Sequence, residues 1–493
     1  MGMFKERPVA GNYFLVTKGN DPRPLKRYFE MVGSYLVARE NADKVPVCYL
    51  SLNYLHLHLI KEWKEKINGY LYVLRLTNIQ QYDNLMTTDE RLAYKWYFLM
   101  MRYCVGVNAH EYYSIDKGRH LGSGQYGSVQ LVRSVYGGIL DDRAVKVYKK
   151  EEIFKPSPKE IATGGYTPQQ EAKLRFGNTI RRKAIVEEIN ILRKVDNPHL
   201  LKLYEVYEDH DTDQICIVTQ AYYGGSLSER TYKKPNGRYS IWDCLQIIQR
   251  ILEGLKYLHS LRIIHRDLKL ENIMFKDADG SYDLAIIDFG FATLEEDYKK
   301  LFAFCGTKGY MAPEVFSKQP YGCKADMFSV GVIFYRLLTG QFPFTPRTSP
   351  QATTFEQRFM EANPTYDWKA LEMEITQDQS KLLVDFMQRL ITPTPTNRMS
   401  AAEALSHPLF TLLNVKSSTI EQTTSPSTST QLERIDADKD RIVAVGNSQI
   451  TSDDEDEGNK KSEQGPMVFT TAGNSLLKGS QLLLQPTQVQ SQP

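Results

Sequence analysis

Residues 264–275 read IHRDLKLENIMF. His265, Arg266, Asp267, Lys269 and Asn272 are crowded into an apolar frame, and Asp288 follows sixteen residues after Asn272, at the head of Asp288-Phe289-Gly290 in IIDFGFAT. One carboxylate can orient and deprotonate a hydroxyl. An amide oxygen and a second carboxylate are hard ligands of the kind Mg²⁺ prefers. A metal ion bridging triphosphate oxygens would neutralise the charge that develops in phosphoryl transfer, and Lys269 can stabilise the group in flight. Each residue alone reads as solvated surface charge. Their common order and spacing argue against accident.

Upstream, LGSGQYGSV (121–129) spaces Gly122, Gly124 and Gly127 as GxGxxG between two β-branched stretches. Glycine lets backbone amides approach an anion with no Cβ in the way. A dinucleotide site would need a helix after this motif. Here a strand continues, so the choice lies between a hairpin lid over phosphates and a plain hairpin turn. Lys146 stands in RAVKVY, an apolar strand where an unpaired ammonium is costly. It is either an edge lysine that snorkels or a lysine shared between phosphate and a carboxylate. RRKAIVEEINILRKV (181–195) has helical spacing and offers that carboxylate in Glu188, with Glu187 as the alternative. The polar run between them, KPSPKEIATGGYTPQQEAKLRFGNT (155–179), reads as a flexible insertion. QICIVTQAY (214–222) reads as a strand, WDCLQIIQRILEGLKYLHSL (242–261) as a long helix and ADMFSVGVIFYRLLTG (325–340) as a buried one. Strands first and helices later predict a β-rich lobe ahead of a larger helical lobe, an α+β class. DADGSYD (277–283) begins like a calcium loop but lacks its third ligand and terminal Glu, so a hairpin turn is expected.

Through GxGxxGxV, AVK, the helix Glu, HRDLKxxN, DFG and APE (312–314), residues 115–410 resemble a eukaryotic protein kinase. The resemblance implies the bilobal kinase fold, ATP and Mg²⁺. It casts Asp267, Lys269, Lys146, Glu188 and Thr307 as catalytic and Asn272 and Asp288 as metal ligands. It places ATP on Leu121, Gly122, Ser123, Gly124, Gln125, Tyr126, Gly127, Val129 and Lys146. In the hinge, Thr219 would be the gatekeeper, and the Gln220 and Tyr222 backbones would meet adenine. Asp326 and Arg398 stand where the family has its structural Asp and the Arg that pairs with the APE Glu. DLKLEN and GTKGYMAPE are similar to serine/threonine kinases, and the wording overall to the calcium/calmodulin-dependent group. Phe291 hints at serine as acceptor. Glu271 fits a basic-substrate preference, while Ser226 replaces the acid that basophilic relatives often carry. Every catalytic position is filled, which disfavours a silent scaffold. Ala303 replaces the usual phosphorylatable Thr of the activation loop. Activity without phosphorylation there is therefore expected, with Glu295, Glu296, Asp297 or a modified Tyr298 as substitutes.

Of 493 residues, 42% are hydrophobic and 24% charged, with a net charge of +2, which suggests no nucleic-acid partner. Cys48, Cys104, Cys216, Cys244, Cys305 and Cys323 are scattered and form no CxxC, as expected of free thiols in a reducing compartment. MGMFKERP has no signal-peptide layout, and Glu6 occupies the Ser/Thr position of a myristoylation signal. A cytoplasmic protein with at most peripheral membrane contact is expected. Residues 414–493, rich in Ser, Thr and Gln with an acidic run after Ser452, read as a disordered tail. The tail lacks the basic amphipathic helix of a calmodulin target.

Residues 8–113 carry short aromatic strands (NYFLVTKG, LKRYFEMVGSYLVARE, VPVCYLSL, YLYVLRL) and then DERLAYKWYFLMMRYCV, an amphipathic helix bearing Trp96. They resemble a pleckstrin homology domain, implying a small β-barrel capped by a helix. In that family a lysine on the first strand and basic residues leading into the second often bind phosphoinositides. Lys18 and Arg27 fit, with Lys26 or Arg23 compensating for Leu25. A protein-contact or autoinhibitory module is the alternative. Partners are then protein substrates with Ser/Thr acceptors and a phosphoinositide or membrane surface. Oligomeric state is not legible.

Overall fold

The computed structural model describes residues 10–18, 24–53, 55–77, 82–115, 119–124, 127–133, 142–153, 161, 163–209, 212–278, 281–296, 305–317, 319–343 and 376–413. The expectations for the tail, for Arg23, for Gln125 and Tyr126, and for Asp297, Tyr298 and Ala303 lie outside these residues, as do those for the Lys18 and Ser123 side chains.

The N-terminal module is one antiparallel sheet of seven strands: β1 (Ala10–Lys18), β2 (Leu25–Val32), β3 (Tyr35–Arg39), β4 (Pro46–Ser51), β5 (His56–Lys64), β6 (Gly69–Thr77) and β7 (Tyr82–Thr87). The order is β4-β3-β2-β1-β7-β6-β5. The ladder is open, with β4 and β5 as its two edges, which do not pair among the described residues. β1 joins the halves by pairing with both β2 and β7. Helix α1 (Glu90–Met101) starts where Asp89 accepts the Leu92 amide, and it turns Trp96, Tyr97, Met100 and Met101 into the core. Trp96, 1% exposed, meets Phe14 edge-on at 5.0 Å.

A second sheet follows: β8 (Arg119–Gly124), β9 (Gly127–Val132), β10 (Arg143–Lys149), β11 (Leu203–Asp209) and β12 (Gln214–Gln220), ordered β11-β12-β10-β9-β8. Side chains alternate across a strand, so its two faces have different partners. Val145, Val147, Cys216 and Val218 join the core of the N-terminal module, together with Tyr97, Met101, Cys104, Tyr112 and Tyr113. Tyr148, Ile215 and Ile217 face the other way, toward helix α2 (Pro168–Lys194) and the larger lobe. The N-terminal module is thus packed against the sheet that carries Lys146.

Helix α2 corrects the sequence reading. The stretch read as a flexible insertion is helical from Pro168 onward, within one helix of 27 residues. Thr167 and Gln170 form a reciprocal capping box with Pro168 at the first turn. The first half of α2 is mostly solvated, so no apolar period marked it; the second half buries Ile185, Glu188, Ile189 and Leu192.

The large lobe is built on α3 (Ile241–Ser260) and α4 (Lys324–Thr339), joined by α5 (Gln377–Ile391). Helix α4 is buried nearly all round, as its composition predicts. Hairpin β14 (Ile273–Phe275) and β15 (Leu284–Ile286) flanks the DADGSYD turn, and Lys276 bridges Asp283 at 2.9 Å. Strands β13 (Ile263–Ile264) and β16 (Thr293–Leu294) also pair. All six cysteines are free, and burial pushes the Cys104 and Cys216 thiols up to about 12.

Candidate active site

The segment 265–272 hangs between β13 and β14. Asp326, in the first turn of α4, accepts the amides of His265 and Arg266 at 2.9 Å each and the His259 ring at 2.9 Å. Burial alone would raise the Asp326 carboxyl. The hydrogen bonds from the His259 ring and the His265 amide outweigh it and hold its pKa below the usual range. That anchor holds Arg266 at φ 68°, backbone a non-glycine residue adopts at a cost. His265 takes the Asp267 amide on Nδ1 at 3.3 Å and faces the Ile287 carbonyl with Nε2 at 3.1 Å. An amide only donates and a carbonyl only accepts, so these partners select the neutral Nε2–H tautomer.

Asp267, 4% exposed, is the hub. Thr307 donates to its Oδ1 at 2.6 Å, and Lys269 donates to its Oδ2 at 2.8 Å. Lys269 also donates to the Thr307 hydroxyl at 3.0 Å, so the three side chains close a ring. Asn272 Nδ2 donates to the Asp267 carbonyl at 2.9 Å and to Oδ2 at 3.2 Å. With its amide nitrogen so used, Asn272 keeps its side-chain oxygen as a ligand.

Asp288 sits at φ 65°, a conformation Asp tolerates better than most residues. The preceding Ile287 amide donates to the Asn272 carbonyl at 2.8 Å, tying the two stretches together. Phe289 is fully buried and meets the His265 ring at 5.2 Å. Among the described residues no group of three or more His, Cys, Asp or Glu side chains suits a metal ion. Two oxygen ligands still fit a cation that keeps waters and substrate phosphates as its other ligands, the usual Mg²⁺ arrangement.

On the sheet, Lys146 Nζ meets Glu188 Oε1 at 2.7 Å. Glu187, the alternative, instead accepts from Thr293 at 3.2 Å. Burial disfavours the Lys146 ammonium, but Glu188, Tyr148 and Asp288 more than offset this and raise its pKa. Tyr148, absent from the sequence reading, donates to Glu188 Oε2 at 2.7 Å. Its signal was available: it stands two residues after Lys146, hence on the same strand face.

Val129 pairs with Lys146 across β9 and β10, and β8 returns against β9 through Gly122 and Gly124. A Cβ on Gly127 would lie 2.3 Å from the Val147 carbonyl oxygen, so this glycine is needed for close approach; a Cβ on Gly122 would meet nothing within 4 Å. Leu121 is exposed. Thr219 donates to the Ala144 carbonyl at 3.3 Å, and the Gln220 amide to Lys202 at 3.0 Å. The Gln220 amide is thus already engaged, and Tyr222 is buried beside it. Ser226 caps the short helix Leu227–Tyr232 through a capping box with Glu229, while Glu271 accepts from Ser228 at 3.1 Å. Arg398 grips Glu314 with two bonds of 2.7 and 3.1 Å.

In the N-terminal module, Arg27 lies on the strand face of Phe29 and Met31 and Lys26 on the other, exposed, 5.0 Å from the Tyr13 ring. The Lys18 backbone pairs with Asp83. No described helix is long and apolar enough to cross a membrane.

The family model described as "Protein kinase domain" matches residues 115–410. The serine/threonine-protein kinase H1 homolog of Pinctada fucata is 32% identical over 244 residues, 48% of this chain and 55% of the relative. Myosin light chain kinase A of Dictyostelium discoideum is 35% identical over 229 residues, 46% of this chain and 72% of the relative. The calcium/calmodulin-dependent protein kinase cmkB of Emericella nidulans is 34% identical over 232 residues, 46% of this chain and 55% of the relative. The chain thus spans about half the length of the first and third of these proteins.

Proposed function

The chain belongs to the protein kinase family, and from that premise we propose that it transfers the γ-phosphate of ATP to serine and threonine hydroxyls of protein substrates. The observation that carries the proposal is the buried Asp267 carboxylate, bonded to Lys269 and Thr307 at 2.8 and 2.6 Å. In this reading Asp267 orients the acceptor hydroxyl and takes its proton. Thr307 holds Asp267 Oδ1, which fixes the carboxylate plane. Lys269 neutralises the group in transfer. Lys146, pinned by Glu188, positions the α and β phosphates, and the Gly122, Gly124 and Gly127 backbone covers the triphosphate. The Gln220 carbonyl and Tyr222 amide meet adenine below Thr219. Asn272 and Asp288 would hold Mg²⁺, which when bound supplies positive charge to the phosphate oxygens. Purified protein should move radiolabel from ATP to a serine peptide, and Asp267→Asn should not. Equal transfer by the two proteins would remove Asp267 from the chemistry.

Glu271 at the acceptor side supports a preference for Arg or Lys in the substrate; a peptide library tests it. Ala303 supports activity without phosphorylation of the activation loop. Phosphatase-treated protein should be active, and a preparation rescued only by an upstream kinase would refute this. A cytoplasmic protein able to visit membranes is the corresponding location.

The N-terminal module is proposed to be pleckstrin homology-like, on the strength of its seven-stranded sheet and closing helix with buried Trp96. Lys18, Lys26 and Arg27 are its candidate phosphoinositide contacts. Liposome sedimentation with and without phosphoinositide tests that role, and a Lys18/Arg27 charge-removal variant that binds as well as wild type would end it.

A further inference from the structure

Between α1 and the kinase domain the chain is bonded on both sides. The Leu57 amide donates to the Val105 carbonyl at 3.0 Å and the Val105 amide to Leu55 at 2.8 Å, fastening this segment to the first sheet. The Gly106 amide donates to Val206 at 2.8 Å and the Glu208 amide to Gly106 at 2.9 Å, fastening it to β11. A Cβ on Gly106 would sit 2.4 Å from the Tyr207 ring, so the join has no slack.

The same segment grips the end of α2. Arg193, 7% exposed, donates from Nη2 to the Cys104 carbonyl at 2.9 Å. Arg102 donates from Nη2 to the Val195 carbonyl, the C-cap of α2, at 2.9 Å and lies 3.4 Å from Asp196. Both are charge-assisted bonds, and Arg102 places positive charge where the helix dipole is negative. Glu188 precedes Arg193 by five residues of unbroken helix, about 7.5 Å of rise. Anchored at that end, the helix cannot slide along its axis or lift off as a body without breaking these contacts, and with Glu188 only about 7.5 Å from the anchor its swing away from Lys146 is short.

We propose that Arg102 and Arg193 are positioning residues for phosphoryl transfer: through them the N-terminal module holds the Glu188-bearing helix at the distance where Glu188 meets Lys146. The module then activates the kinase domain in cis, in place of the autoinhibition considered from sequence. The inference rests on the phosphotransfer reading above.

The test uses full-length protein and a serine peptide. Arg102→Met and Arg193→Met should each lower kcat about tenfold, with the peptide KM within about twofold of wild type. Arg102→Lys and Arg193→Lys, which keep a charged donor, should recover most of the loss. A merely stabilising contact would act independently of Glu188. Adding either Met substitution to Glu188→Gln should instead cost less than about twofold further, the non-additivity of residues acting through one element. Should Arg193→Met not fold, as judged by circular dichroism, the partly exposed Arg102 carries the test. Active wild type with equally active variants, or losses that multiply with that of Glu188→Gln, overturns the brace alone. An inactive wild type overturns the phosphotransfer reading, and the brace with it.

Discussion

The Tyr148 hydroxyl donates to Glu188 at 2.7 Å, on the carboxylate oxygen that Lys146 leaves free. Burial and then the Glu188 charge raise the Tyr148 pKa, so it remains a donor across the working pH range. A hydrogen bond to a charged group contributes about 1.5–3 kcal/mol. Tyr148→Phe should therefore lower kcat/KM several-fold, and less than Glu188→Ala, in steady-state peptide phosphorylation.

Asp267→Asn keeps the shape of the hub but cannot accept a proton. General-base catalysis contributes roughly 10²–10⁴-fold. The variant should lose kcat on that scale while binding ATP as wild type does in calorimetry. Loss of nucleotide affinity instead would mean that the loop had collapsed.

Arg398 is fully buried on Glu314. Removing one partner of such a pair costs about 3–5 kcal/mol, because the other charge stays buried without compensation. Arg398→Ala should unfold at clearly lower denaturant than wild type; an unchanged midpoint would show that the pair contributes little.

Gly127→Ala and Gly122→Ala form a matched pair. The first forces a methyl against the Val147 carbonyl; the second meets open space. Gly127→Ala should cost about 1–3 kcal/mol of stability and weaken nucleotide binding, with Gly122→Ala close to wild-type stability.

Glu205 lies buried between the two modules, accepting from Tyr113 at 2.9 Å and Tyr207 at 2.7 Å. Burial raises its pKa to about 7, despite these bonds and nearby Arg143. A carboxyl raised by folding contributes stability that is full below its unfolded pKa near 4.5 and lost as pH rises through 7. The loss is on the order of 3 kcal/mol. Glu205→Gln should not show it. Thermal unfolding of both proteins between pH 4.5 and 8 checks this, and parallel curves would contradict it.

Motif order led to Asp267, Lys269, Asn272, Asp288 and Lys146, and helical period led to Glu188. Residues 168–180 were not legible as helix, because their face is solvated and carries no apolar repeat. The Thr167-Pro168-Gln169-Gln170 cap was the available sign. Strands β5 and β7 were not legible, nor was the strand order that leaves β4 and β5 as edges. Pairing order depends on which distant strands meet, and composition does not record that.

Local spacing by itself determined the chemistry: which side chains stand near enough along the chain to share one loop, and which strand carries a lysine in apolar surroundings. Helical spacing already favoured Glu188 over Glu187 as the partner of Lys146; only the tertiary structure decided that Tyr148 shares its carboxylate and that Arg102 and Arg193 fasten the helix end. Those choices depend on contacts between residues 40 to 93 apart in the chain. Spacing along a helix names the inward glutamate, but only packing of that helix against the sheet brings Lys146 and Tyr148 onto its two oxygens.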